Sequence, residues 1–251
     1  MPYRRLPNTD LARIRALRSA QDMGEILSST ELGFSFILLR KLHDFLPHFE
    51  LAIRNHRQAI GEQSAKSKEY NERQRKARLY VSHFIQVVNF TIAREELKPE
   101  VRDFYGLHVN SQKIPSLVKD VKLIEWGQKL IEGERLRVGA GGNPIYSPSI
   151  ALVRVNCDKF KDAYSHQKRL QSNTQRFSEQ VAQRRHEADQ LILDIWNEVE
   201  LHYKDKPEDE RREICGRYGL VYVWRKSELE RQKQLESAQH STLNLPFASP
   251  E

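Results

Sequence analysis

The chain has 251 residues and a formal net charge of +7, with 39% hydrophobic and 30% charged residues, a balance typical of long helices with one solvated face. Its longest apolar run, FSFILL, is far shorter than the ~20 residues that a membrane span requires, and no apolar segment of signal-peptide length follows the first arginines. These features argue against a membrane-spanning or secreted protein, and we expect a soluble cytoplasmic one.

The first segment, residues 1–29, is predicted to be a basic arm followed by a short helix. Asn8-Thr9-Asp10 is a favourable N-cap for the stretch LARIRALRSA, which places its apolar residues on one face and its arginines elsewhere. Arginine suits phosphate contacts because its guanidinium is planar and always charged. Five arginines are therefore candidates for binding nucleic acid or another anion: Arg4, Arg5, Arg13, Arg15 and Arg18. The alternative is that the arm docks on the acidic stretch 189–210, in the same chain or in a second copy.

Residues 30–109 are predicted to form a long helical hairpin. Apolar residues recur every three or four positions from Leu38 to Ile60 and again from Leu79 to Ile92, as on the buried face of a helix. We expect a kink or a break at Pro47, because proline cannot donate the hydrogen bond to the residue four positions earlier. The polar stretch GEQSAKSKE, residues 61–69, is predicted to be the turn between the two helices.

Two further features lie in the second half of this hairpin. Pro99 suits the first turn of a short closing helix, and Gly106 suits its C-terminus, where a left-handed residue lets the following leucine pack back on the last turn. A basic cluster opens the second helix, and its members are further candidates for nucleic-acid contacts: Arg73, Arg75, Lys76 and Arg78.

Residues 110–144 are predicted to contain a connecting amphipathic helix and a glycine-rich linker. The linker lacks the Gly-Lys-Ser/Thr of a phosphate-binding loop, and no buried strand precedes it. An anion site at the start of the next helix is one interpretation, and a flexible linker that only makes the turn is the other. The candidate residues for this anion site are Arg135, Arg137, Gly141 and Gly142.

The segment 145–224 repeats the pattern of the first hairpin at an offset of 111 residues, so that Phe49 falls on Phe160 and Phe84 on Ile195. The two segments also end alike, with Lys-Pro-Glu followed by Tyr-Gly-Leu, so a second short closing helix is expected after Pro207, with a left-handed Gly219 at its C-terminus. We therefore predict an all-α protein in which tandem duplication of a long helical hairpin forms a four-helix-bundle-like core with short peripheral helices. Residues 225–251 are predicted to be a polar C-terminal helix and a disordered tail.

The sequence lacks recognisable motifs for catalysis and metal binding. It contains neither the Glu-x-x-His pairs of carboxylate-bridged di-iron bundles nor a nucleophile elbow. Asp194, Glu198 and His202 share one helical face, but the corresponding positions of the first hairpin do not complete a symmetric site. We expect no catalytic residue, metal or cofactor. Cys157 and Cys215 have neither metal nor redox spacing and are expected to be small buried hydrophobes.

Three stretches resemble a family of uncharacterised all-helical proteins from Bacteroidetes-type bacteria: RRLPNTDLARIRAL, IEGERLRVGAGGNPIYSPSIALVRV and WNEVELHYKDKPEDERREICGRYGLVYVW. The resemblance covers most of the chain up to about Trp224. It implies a helical fold and a bacterial lineage, and it brings no activity, ligand or catalytic residue to this sequence.

The leading functional hypothesis is a non-catalytic interaction or scaffold protein whose partner is another protein. Aromatic residues near the repeat ends are its candidate exposed contacts: Tyr105, Tyr218, Tyr222 and Trp224. Electrostatic binding of nucleic acid through the arginine arm is the first alternative, and an enzyme with a site between helices is the second. A homodimer is compatible with all three.

Overall fold

The computed structural model describes residues 3–225 and residue 230, and its regular structure is almost entirely helical. In chain order the elements are β1 (Tyr3–Arg4), α1 (Asp10–Ile26), α2 (Phe36–Ala93), a 3-10 helix η1 (Pro99–Tyr105), α3 (Asp120–Gly139), α4 (Ile150–His202), α5 (Glu208–Arg217) and β2 (Tyr222–Val223). The predicted all-α class is confirmed. The predicted polar C-terminal helix and tail, residues 225–251, lie outside the described residues except for Arg225 and Glu230.

The predicted hairpin turn over residues 61–69 is wrong, because α2 continues through it as one helix of 58 residues. Pro47 also lies inside this helix and does not end it. Polarity alone does not indicate a turn, because glutamate, glutamine, alanine and lysine are good helix formers, and only Gly61 disfavours the helix strongly there. The second predicted hairpin is likewise one helix, α4, of 53 residues. The pair of predicted hairpins is therefore corrected to a pair of long helices.

The chain divides into two compact units, and each has its own core. The first unit comprises residues 1–55 and 178–251, of which the described part contains α1, the start of α2, the end of α4, and α5. Its largest fully buried side chains belong to Leu17, Phe49, Trp196 and Tyr218. A helix that buries one apolar stripe in this way gains most of its stability from packing rather than from intrinsic propensity.

The second unit, residues 56–177, contains the end of α2, then η1, α3 and the start of α4. Its core includes Phe84, Tyr105, Leu130 and Phe160, all fully buried. None of the helices in the described part of the chain is both long enough and apolar enough to cross a membrane.

The predicted left-handed glycines are confirmed at the ends of both closing helices. Gly106 has φ +68°, and the Leu107 N–H donates to the Arg102 carbonyl at 3.0 Å. In the first unit Gly219 has φ +86°, and the following leucine is 4% exposed. The backbone thus turns back at each glycine, and the leucine that follows packs against the last helical turn.

Buried positions in α2 and α4 coincide at the 111-residue offset. Phe49 and Phe160 are both fully buried, and so are Phe84 and Ile195, which are 0% and 1% exposed. The same holds for these further pairs: Leu42 and Val153, Val81 and Ile192, Ile85 and Trp196, Val88 and Val199. The internal duplication, a statement about ancestry, stays a prediction, and the paired burial is the pattern that such a duplication would leave.

Candidate functional site

Two arginines of the N-terminal arm are held by acidic residues of α4. The Nη1 atom of Arg4 lies 2.9 Å from Glu200, and its guanidinium lies 5.9 Å from the centre of the Trp196 ring. Arg13 donates two hydrogen bonds to Asp189, at 2.7 and 3.0 Å. The arm of this chain therefore docks on its own acidic stretch, which was one of the two alternatives left open by the sequence.

A third arm arginine is engaged with another helix. Arg18 lies 2.7 Å from Glu50 of α2, although its side chain is 60% exposed. Such an exposed pair contributes little to stability. Its consequence is electrostatic, because a carboxylate beside the guanidinium reduces the attraction of Arg18 for an incoming anion.

Arg5 and Arg15 differ from these three. Both are exposed, and neither makes an ion pair with any residue in the described ranges. They line one concave cavity of about 550 Å³ in the first unit, together with apolar groups of Leu6, Trp196 and Val221. We call this cavity the arm pocket. Two uncompensated guanidiniums beside an apolar surface make it the strongest candidate site for binding an anionic partner.

Local structure explains why these residues meet. The N–H of Arg5 donates to the carbonyl of Val221 at 2.8 Å, which extends the antiparallel pairing of β1 with β2. Arg15 lies on the same α1 face as Ala12 and Ser19, which also line the pocket at helical spacing. The pocket is completed by residues next to β2, which follows α5 far along the chain. The sequence around Arg5 and Arg15 therefore does not indicate that these two residues line the same cavity.

Gly219 allows α1 to approach the end of α5. A Cβ atom at this position would lie 2.8 Å from both the Cα and the carbonyl oxygen of Ala16, too close for any side chain. The positive φ of Gly219 also disfavours other residues. Ala16 and Gly219 both line the arm pocket, so this wall of the pocket depends on a glycine at position 219.

The second basic cluster does not form one uncompensated patch. Arg73 lies 3.6 Å from Glu69, and Lys76 lies 3.0 Å from Glu72. Arg78 donates to the carbonyls of Leu117 and Val118, at 3.2 and 3.4 Å, and so holds the segment before α3. Of the four residues in this cluster, only Arg75 is exposed and makes no ion pair with the residues that the structure describes.

The residues of the predicted linker anion site have internal partners. Arg135 is exposed and paired with Glu132. Arg137 is 3% exposed, and its donors go to Glu134, to the hydroxyl of Tyr105 and to the Asn143 carbonyl. The two remaining candidates, Gly141 with φ +94° and Gly142, which packs on Arg137, form the turn itself. Arg137 is therefore not available to an external anion, and Arg135 is already paired, so the geometry does not favour an anion site here.

Sequence reasoning missed the buried network of Arg137 and Glu134. Glu134 accepts hydrogen bonds from Arg137, from the Tyr105 hydroxyl at 2.5 Å and from the Ile145 N–H at 2.9 Å. Burial alone raises the pKa of Glu134, but these hydrogen bonds outweigh burial and hold the pKa below its usual value. One signal could have revealed the pair, since the buried stripe through Leu123 and Leu130 continues at helical spacing to 134 and 137.

Two of the aromatic residues predicted to be exposed contacts are buried instead. Tyr105 and Tyr218 are both 0% exposed, because each turns back with the glycine that follows it into its own core. Tyr222 donates to Glu200 at 2.7 Å, and Trp224 is 38% exposed beside Arg212. The predicted contact surface therefore loses its two tyrosines at the repeat ends.

The acidic row on α4 serves structural contacts. Asp194 accepts a hydrogen bond from Gln190, and Glu198 accepts one from the Ser35 N–H at 2.6 Å, just before α2. Within residues 3–225 and residue 230, no group of three or more histidine, cysteine, aspartate or glutamate side chains could hold a metal ion. Both cysteines are free and buried, as expected.

Comparison with known proteins adds no relative from which a role could be transferred. No family model matches the chain, and no curated protein or solved structure is significantly similar to it.

Proposed function

We propose that this chain is a non-catalytic interaction protein that binds an acidic segment of a partner protein in the arm pocket. The observation that carries the proposal is the contrast among the arm arginines. Arg4, Arg13 and Arg18 are neutralised by carboxylates, whereas Arg5 and Arg15 line the same cavity without a counter-ion in the described residues. The proposal assumes the cytoplasmic setting expected from the composition.

An acidic peptide fits this pocket by its chemistry. Arginine binds a carboxylate through two parallel hydrogen bonds, which gives both affinity and orientation. The apolar surface of Leu6 and Val221, 47% and 52% exposed, offers a place for aliphatic side chains between the carboxylates. Interfaces commonly combine such an apolar centre with charged groups at the rim.

Nucleic acid fits the same surface less well. Its phosphates require a track of unpaired cations, and only two of the five arm arginines have no ion pair with a described residue. Neutralising about two phosphates would give a log–log salt slope near −1.8 on duplex DNA, which is too shallow for substantial electrostatic affinity. We therefore favour the peptide and treat nucleic acid as an outcome of the test.

The test measures the fluorescence anisotropy of a short labelled peptide of alternating glutamate and leucine. We expect the protein to bind it, and the double variant Arg5→Gln/Arg15→Gln to weaken binding by about tenfold or more, because two charge-assisted contacts are lost. The control is Arg40→Gln/Arg54→Gln, which removes the same charge from two exposed arginines of α2 outside the pocket. This control should bind like the unaltered protein.

Three outcomes would contradict the proposal. The first is absence of binding by the unaltered protein, and the second is equal affinity for a peptide with glutamine in place of glutamate. The third is a single-stranded oligonucleotide that binds more tightly than the peptide and loses affinity in the Arg5/Arg15 variant, which would favour the nucleic-acid alternative.

A further inference from the structure

We propose that the second unit carries a separate site for a small molecule with several linked phosphates, in a groove between α2 and α4. This basic groove is a cavity of about 500 Å³. Four cationic side chains line it, and they are Lys66, Arg73, Lys159 and Arg169. Only two carboxylates, Glu69 and Asp162, line it with them, so cations outnumber carboxylates two to one.

The cations of the groove are poorly compensated. Glu69 is shared between two of them, at 3.5 Å from Lys66 and 3.6 Å from Arg73. Lys159 and Arg169 are exposed and make no ion pair with any residue of the described ranges.

The spacing of the cations selects for an extended anion. At 1.5 Å of rise per residue, Lys66 and Arg73 lie about 10 Å apart along α2, and Lys159 and Arg169 about 15 Å apart along α4. Charges spread over this length do not converge on a single phosphate. They suit a chain of phosphates that runs along the groove, such as inorganic polyphosphate or the triphosphate of a nucleotide.

The first unit contains an equivalent groove with a different charge, so the shape of the groove can be considered apart from the charge of its lining. A cavity of about 570 Å³ there is lined by Ala52, Arg184 and Glu187, among others. Ala52 and Arg184 occupy the positions equivalent, at the 111-residue offset, to Ala163 and Arg73 of the basic groove. A small alanine side chain therefore lines the groove in each unit, and the shape of the groove follows from packing that the two units have in common.

The equivalent groove of the first unit lacks the excess of cations. Its lining has one arginine, Arg184, and one carboxylate, Glu187, and His48 stands where the basic groove has Lys159. Lys66 and Arg169 have no counterpart in that lining, because the positions equivalent to them at the 111-residue offset lie in the second unit. The packing therefore does not require these cations, because the same groove forms without them. A binding role explains their presence better than the architecture does.

Isothermal titration with sodium tripolyphosphate, ATP, adenosine and inorganic phosphate tests the site. We expect tripolyphosphate and ATP to bind, and Lys159→Gln/Arg169→Gln to weaken both by about tenfold or more. Both residues are exposed, so this variant is expected to fold normally. The control Arg154→Gln/Lys161→Gln removes one arginine and one lysine from the exposed surface of the same helix and should change neither affinity.

The outcomes distinguish two kinds of ligand, a bare phosphate chain and a nucleotide, and they also show whether the proposed site exists. Equal affinity for tripolyphosphate and ATP means that the phosphate chain alone is recognised, and tighter binding of ATP means a nucleotide site; both support the proposal. Inorganic phosphate as tight as tripolyphosphate, or no binding of either polyphosphate, would overturn it. Preferential binding of an oligonucleotide through Lys159 and Arg169 would also overturn it. None of these results depends on the arm pocket, since Arg5→Gln/Arg15→Gln is expected to leave tripolyphosphate binding unchanged.

Discussion

Replacing Arg137 by methionine is predicted to destabilise the second unit strongly at pH 7 and less at acidic pH. The side chains of Arg137 and Glu134 are 3% and 2% exposed, and Nε and Nη2 of the arginine each lie 2.8 Å from a carboxylate oxygen. Methionine keeps much of the apolar stem but removes the charge. Among the residues that the structure describes, Glu134 would then keep only the hydrogen bonds from Tyr105 and Ile145.

The expected size follows from the burial of both partners. Removing one member of a buried ion pair costs about 3–5 kcal/mol, because the other charge is left uncompensated. For a chain of this length each kcal/mol lowers Tm by about 2–4 °C, so we expect a decrease of roughly 6–20 °C at pH 7. Any packing that the arginine stem loses on replacement by methionine would add to the same decrease in Tm.

The pH dependence distinguishes this electrostatic cost from a packing defect. In the unaltered protein the lowered pKa of Glu134 means that the group stabilises the fold above its unfolded pKa, and that this contribution is lost as pH falls through the folded pKa. Without Arg137, burial dominates and should raise the folded pKa above the unfolded value. The penalty is then largest at pH 7 and shrinks on acidification, as the buried carboxyl becomes neutral.

Thermal unfolding followed by circular dichroism at pH 7 and near pH 4 measures both effects. Arg135→Met is the matched control, because this arginine is paired with Glu132 on the exposed side of the same helix and should leave the midpoint unchanged within error. A second variant, Glu134→Gln/Arg137→Met, should recover part of the loss. Equal midpoints for the Arg135 and Arg137 variants, or a penalty that grows on acidification, would refute the reasoning.

Three further predictions concern the glycines, the cap and the thiols. Gly219→Ala should lower the free energy of unfolding by about 2–5 kcal/mol in urea titrations, because the left-handed backbone is strained and the new Cβ overlaps the main chain of Ala16. The control Gly216→Ala has nothing within 4 Å of its Cβ and should be neutral or slightly stabilising. Thr9→Ala removes the 3.2 Å cap hydrogen bond of α1 and should cost about 1 kcal/mol, while no change would mean that the cap contributes nothing. Burial raises the pKa of Cys157 to about 12 and also raises that of Cys215, so both thiols should react with Ellman's reagent only after unfolding.

Local rules predicted those parts of the structure that depend on neighbouring residues. The cap at Thr9 and the left-handed turns at Gly106 and Gly219 follow from short motifs, and the structure contains all three. Helical spacing also identified most of the buried positions of both long helices, because a stripe of apolar side chains must pack on something. Two positions of the predicted stripes are wrong, since Ile60 and Leu79 are 47% and 61% exposed.

The same rules failed where a local signal has two meanings. A polar, helix-forming stretch at 61–69 is compatible with a turn and with a solvated helix, and the continuous helix was the outcome. Glu132–Arg135 and Glu134–Arg137 are identical as sequence patterns, yet only the second pair is buried. The arm pocket could not be predicted, because it joins Arg5 to a strand more than two hundred residues away.

The most direct test of the proposed function is a titration of ¹⁵N-labelled protein with the glutamate–leucine peptide, followed through amide resonances. Chemical shifts should move first for Leu6, Ser19 and Val221, which line the arm pocket. The amides of Lys159 and His166, in the basic groove, should stay unchanged. Shifts confined to other surfaces, or no shifts at the arm pocket while the peptide binds, would contradict the assignment of this pocket as the partner site.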